Sequence, residues 1–182
     1  MCIRDRKNTA FNGKFAKYEA RYFLMTLYYR YENNSIAADD YAKLLQEDFP
    51  DNPVFEKWRG RIAVRKGDYF LADSVFRNVL LKADKNYVGY NKPNTLREAA
   101  YYVGNNFKNN GQLDSAKVFF ERCIAESKKI DEESEESGFQ VNAFLFLAQM
   151  AETLNKKNEA VRLYKKLLEM RDYCLLYTSR CV

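Results

Sequence analysis

Alanine recurs at positions 37, 72, 116 and 160, and each time a ring follows four residues later, as Tyr41, Phe76, Phe120 and Tyr164. Three further on stand Leu44, Val79, Cys123 and Leu167, each followed directly by Leu45, Leu80, Ile124 or Leu168. The offsets i, i+4, i+7 and i+8 draw one stripe along an α-helix. A chain that carries the same helix face four times is tightly constrained, because every copy needs a similar neighbour to bury that face against.

A second helix is predicted upstream of each alanine. Leu24-Met25, Arg59-Gly60, Val103-Gly104 and Leu147-Ala148 occupy matched places, with Tyr28, Ala63, Phe107 and Ala151 three residues beyond. Between the two helices lie Glu32-Asn33-Asn34, Lys66-Gly67-Asp68, Asn110-Gly111-Gln112 and Asn155-Lys156-Lys157. Gly and Asn there can take the left-handed conformation that ends a helix and lets the chain reverse. Asn52-Pro53 reads as an N-cap followed by a first-turn proline. The alanines lie 35, 44 and 44 residues apart, and Gly60, Gly104 and Ala148 are also 44 apart, so two blocks are long. The extra residues fall around Lys82 to Thr95 and Glu126 to Gly138, as lengthened helices or as exposed loops.

These residues resemble the tetratricopeptide repeat, in a bacterial-type form with long repeats: a helical hairpin of about 34 residues with small, aromatic and turn positions at fixed offsets. The third block matches best, through Ala100, Val103-Gly104, Phe107, Gly111, Ala116, Phe120 and Cys123. The first has Met25 where glycine is usual, and the closing proline is mostly absent. The resemblance implies an all-α, right-handed superhelical solenoid of about four hairpins, with repeats at about 18–51, 52–85, 95–130 and 139–173. Ala37, Ala72, Ala116 and Ala160 are then expected to let the second helix approach the first. Gly60 and Gly104 are expected to do the same from the other side, and the rings to fill the space between hairpins.

Both ends read differently. Met1 to Arg6 and Cys174 to Ser179 are what one transposase-adapter oligonucleotide encodes when read from its two strands. Residues 1–6 and 174–182 are therefore expected to be adapter-derived, and 7–173 to be an internal piece of a longer product, so compartment is unknown. Without the ends, the formal charge of +5 loses Arg4, Arg6 and Arg180 against Asp5 and becomes +3, and only Cys123 remains of the four cysteines. No internal disulfide or cysteine metal cluster is then expected. So mild a charge does not by itself call for nucleic acid or membrane. There is no histidine, the commonest general base and metal ligand. Neither a phosphate-binding glycine loop nor a nucleophile with its base is present, so no catalytic residue, cofactor or metal is expected. No apolar run reaches the roughly 18 residues a membrane-spanning helix needs.

In the resembling family, partners are held chiefly by the first helix of each hairpin, on the concave side. Carried onto this register, the lining would be Tyr22, Thr26 and Tyr29, then Lys57, Arg61 and Val64, then Tyr101, Asn105 and Lys108, then Leu145, Gln149 and Glu152. Cations, an amide and rings in the middle of that surface suit a peptide with acidic groups. The same lysines and arginine could instead be solvated charges on an exposed helix. Trp58 reads as core, Cys123 as a buried structural thiol, and Asp39-Asp40 as exposed. Asp131 to Ser137 reads as a solvated acidic connection or an acidic docking loop, and Tyr87, Tyr90 and Pro93 as a lip over the groove or as rings tucked against it. The function expected is a scaffold or adaptor for a protein partner. The alternatives are a helical segment of a larger enzyme or regulatory protein, or of an envelope assembly or nutrient-uptake factor. RNA reading fits less well, because the lining lacks a recurrent base-reading set.

Overall fold

The computed structural model describes residues 3–13, 16–131 and 137–170, and all regular structure among them is α-helix. In chain order the helices are α1 (Ile3–Asn12), α2 (Lys17–Arg30), α3 (Ser35–Asp48), α4 (Pro53–Lys66), α5 (Tyr69–Asp84), α6 (Pro93–Asn109), α7 (Leu113–Asp131), α8 (Gly138–Thr153) and α9 (Lys157–Glu169). They fall into two compact units, Met1–Val75 and Phe76–Val182. Within each unit, helices α1 to α4 and α6 to α9 pack on their neighbours in sequence, consistent with a helical-repeat solenoid.

Punctuation in the sequence places the helix ends. Each of the four inter-helix turns contains one residue with positive φ: Asn33, Gly67, Gly111 and Asn155. Gly67, at φ 78°, ends α4 and sends its N–H back to the carbonyls of the last turn. At the starts, the Asn34 side chain accepts from the Ala37 N–H at 3.0 Å and Asn52 from the Val54 N–H at 2.9 Å. Each cap satisfies a donor that the first helical turn leaves open.

In the first unit α1 packs on α2, α2 on α3, and α3 on α4. Leu24, Met25, Ala38, Ala42, Leu45 and Ile62 are fully buried in its core. The small-residue position is not Ala37, which is only partly buried, but Ala38, which is 0% exposed. The stripe of α3 is Ala38, Tyr41, Ala42 and Leu45, which keeps the expected Tyr41 and Leu45 but has Ala38 and Ala42 in place of Ala37 and Leu44. Helix α1 was not anticipated. Its Ala10 is buried, and the Ala10 carbonyl accepts from Arg21 Nε at 2.9 Å, so a backbone group at a helix end finds its partner on the next helix. Ile3 to Arg6, expected to be foreign to the native product, lie within α1.

In the second unit α6 pairs with α7 and α8 with α9, while α8 also packs on α7 and touches α6. Here the expected stripe is buried: Ala116, Phe120, Cys123 and Ile124 on α7, and Ala160 and Leu167 on α9. Leu168 departs from it, at 80% exposed, because α9 lacks the covering that α8 gives α7 among the described residues. Gly104 meets Phe120 directly, for a Cβ there would lie 3.0 Å from the ring.

Part of the extra length around the long connections is helix. Helices α6 and α7 run 17 and 19 residues, against 14 for α2, α3 and α4. The chain between α5 and α6 is a tight turn with positive φ at Asn86 and Gly89, and its Tyr90 is tucked in at 0% exposed beneath Lys82. Tyr87 stays partly exposed and meets the Tyr90 ring edge-on, and Pro93 opens α6. The acidic run at 132–136 and the tail at 171–182, including the expected adapter residues 174–182, lie outside the described residues.

Candidate functional site

On the first-helix side of the first unit, Trp58 of α4 is the hub. Tyr22 and Tyr29 of α2 meet it edge-on, with ring centroids 6.4 and 5.3 Å away and planes at 81° to it in both cases. Phe55, one turn earlier on α4, lies 6.4 Å from Tyr22. Helix spacing explains the cluster, since Tyr22 and Tyr29 are two turns apart on α2 and flank one ring on the next first helix. Cations cover it. The guanidinium of Arg61 lies over the Trp58 ring at 4.9 Å and that of Arg30 at 5.8 Å, within cation–π range. Arg65 lies 4.4 Å over Tyr29 and donates to the Tyr29 carbonyl. Trp58 itself is 4% exposed, so what the surface presents is arginine and tyrosine rather than indole.

A similar device recurs in the second unit. Lys108 of α6 sets its ammonium 3.9 Å over the Phe146 ring of α8. Burial lowers the pKa of Lys108 below its ordinary value. Beneath it Tyr101 meets Phe120, Phe139 and Phe146 at 6.3, 5.3 and 6.2 Å. Burial, with the nearby Cys123 thiol adding to it, pushes the Tyr101 phenol up to about 12. Asn105 is partly buried and Gln149 exposed on the same pair of helices.

Charge is handled differently between α3 and α4. Asp39 is 3% exposed rather than at the surface, although Asp40 beside it is exposed. Its carboxylate accepts from Lys66 at 2.8 Å, with Lys43 at 3.0 Å and Arg59 at 3.5 Å. Burial acts to raise the Asp39 pKa, but the hydrogen bonds and charges of Lys66 and Lys43 outweigh it and hold the group below its ordinary value. The expectation of exposure failed because Ala38 rather than Ala37 faces the core, and Asp39 follows it on the buried side.

The sequence model described as Tetratricopeptide repeat matches residues 141–174, the stretch that holds most of α8 and all of α9. That match covers one hairpin, α8 with α9, and the all-helical repeat architecture of the chain agrees with it. No curated protein matches it. A tetratricopeptide-repeat chain is in general a platform for protein–protein contacts, and the family's helical hairpin is typically non-catalytic. Among the described residues no group of three His, Cys, Asp or Glu is placed to hold a metal ion, and no helix is long and apolar enough to cross a membrane.

Set against this tetratricopeptide-repeat frame, the expected lining residues divide. Tyr22, Tyr29 and Arg61 come together around Trp58, and Tyr101 and Lys108 around Phe146. Thr26 turns its hydroxyl back onto the Tyr22 and Phe23 carbonyls, both at 3.0 Å. Lys57 is 8% exposed and is not a surface cation. Arg30 and Arg65 were missed. Both stand in the last turn of a first helix, one residue and four residues beyond Tyr29 and Arg61, and that spacing was the signal available.

Proposed function

We propose that the chain is a segment of a scaffold or adaptor that recognises a peptide or protein partner, acidic in part, on the concave first-helix side. The observation that carries this reading is the repetition of one device, a ring cluster covered by a cation, on the first helices of both units: Trp58 with Arg61, and Phe146 with Lys108. Rigid rings supply contact area at low entropic cost, and the cations over them favour carboxylates. Binding, not catalysis, is the proposed role of this segment.

The test is selection from a displayed random-peptide library, followed by competition with variants. Selected peptides should lose affinity on Tyr29→Ala or Lys108→Ala and keep it on Val118→Ser, a position on α7 that is 61% exposed. Binders that respond only to Val118→Ser would sink the proposal.

A further inference from the structure

We propose that the cleft between α7 and α9, floored by the end of α8, takes one aliphatic side chain from a partner helix whose flanking charges are basic on one side and acidic on the other. This goes beyond the first-helix reading. It places a further contact on the second helices and does not depend on the first.

The cleft lies wholly in the second unit. Its volume is about 130 Å³, and its floor is Leu147, Met150 and Leu154 of α8 and its C-cap with Leu163 of α9. An apolar cavity of about 150 Å³ holds a benzene molecule, so this one has room for a leucine or methionine side chain and not for an indole. It is well below the roughly 300 Å³ at which pockets begin to enclose a drug-sized ligand. The floor is not closed over, since Leu154 is 46% exposed. A single side chain entering as a knob from a protein surface is the occupant that matches this size.

The rim sets the charge. Lys117 of α7 meets Glu159 of α9 at 3.3 Å and Glu121 of its own helix at 3.9 Å. These side chains are partly exposed, and pairs of that kind contribute little, so they yield to a visitor. What they leave over is sorted by wall. On α7 it is Asp114, and at the start and first turns of α9 it is Lys156 and Arg162. Among the described residues none of these three has an ion-pair partner. One wall is therefore acidic and the other basic. A helix offers charges four residues before and four after a leucine, about 6 Å to either side along its axis. A lysine on one side then faces Asp114, and a glutamate on the other faces Lys156 and Arg162. Nucleic acid and uniformly acidic peptides fit less well, because both bring like charge to Asp114 and Glu121.

The experiment titrates the full chain into a fluorescein-labelled, alanine-based helical peptide with lysine, leucine and glutamate at successive spacings of four, and reads anisotropy. Replacing the leucine by glutamine should cost about tenfold or more in affinity. Making both charges acidic or both basic should cost about threefold or more. In the Lys156→Glu, Arg162→Glu double variant the preference should pass to the doubly basic peptide. Both positions are exposed, so its circular dichroism and Tm should match the parent. Absence of saturable binding, indifference to the leucine, an unchanged charge preference in the double variant, or full displacement by equimolar N-acetylleucinamide would each overturn the cleft. Loss of binding in Lys108→Ala would also overturn it, by placing the peptide on the first-helix face. Library-selected peptides that ignore Tyr29 and Lys108 would instead sink the scaffold reading and leave the cleft standing.

Discussion

Gly104 on α6 faces Phe120 on α7 so closely that a Cβ added at Gly104 would stand 3.0 Å from one ring carbon and 3.1 Å from the next, with the Phe119 Cβ at 3.2 Å. The ring cannot easily yield, because Phe120 is fully buried between Tyr101 and Phe146. Replacing glycine by alanine inside a helix ordinarily gains about 1 kcal/mol. Here overpacking of about 1–3 kcal/mol opposes it. Gly104→Ala should lower the Tm, and Gly104→Val should lower it further. A rise in Tm for the alanine variant would show that the ring has room to move.

Ala116 is the counterpart on α7 and is also fully buried. Ala116→Leu adds three carbons to a helix crossing already at contact distance, and should destabilise by roughly 1–3 kcal/mol. The matched substitution Ala37→Leu should cost far less, because Ala38 and not Ala37 faces the core of the first unit. Urea unfolding of the two variants checks the difference. Equal losses would contradict the placement of Ala38, and not Ala37, against the core.

Asp39 couples stability to pH. Its folded pKa lies below the ordinary 3.8, so the stabilisation is fully present above that value and is lost as pH falls through the lower folded pKa. Asp39→Asn should flatten that acid limb. At neutral pH it should destabilise by about 1–3 kcal/mol, since Lys66, Lys43 and Arg59 would be left facing a neutral group. Thermal melts between pH 3 and 7 would expose the effect, and an acid limb unchanged in the variant would remove Asp39 from the account.

Cys123 should be inert in the folded chain. Burial pushes its thiol up to about 12, against a smaller opposing effect of the neighbouring Ser127 side chain. The thiolate is the reactive form, so alkylation near neutral pH should proceed only through unfolding. With Cys2, Cys174 and Cys181 replaced by serine, iodoacetamide labelling should follow the unfolding equilibrium in urea. Rapid labelling without denaturant would show that the site opens locally.

The architecture was legible because its signals are local and repeated. The turn residues Asn33, Gly67, Gly111 and Asn155 each take positive φ, and Asn52-Pro53 caps α4 as the sequence implied. What was lost is whatever depends on a rotation smaller than the spacing of the repeat. Ala37 and Ala38 are both alanine, so the pattern of small residues could not say which faces inward, and the burial of Asp39 followed from that ambiguity. The candidate surface was legible in its rings and less so in its charges. Tyr22, Tyr29 and Tyr101 stand in ring clusters, while Lys57 is buried and Arg30 and Arg65 supply cover in the first unit. A long flexible side chain reaches a ring a turn away, and a register fixed on Cα positions does not capture that reach. Helix α1 gave little warning, since a single helix offers no second copy to compare.

Asp131 joins three elements with one carboxylate: it ends α7, takes the guanidinium of Arg97 on α6 at 2.9 Å, and accepts the Ser137 N–H at the start of α8 at 3.1 Å. The two ends of the segment between α7 and α8 are thereby tied to each other. Side chains on α6 and α7 and the backbone at the start of α8 thereby brace the angle between one hairpin and the next. That makes the junction a suitable place to graft an epitope or a fluorophore, as long as Arg97, Asp131 and Ser137 are left as they are.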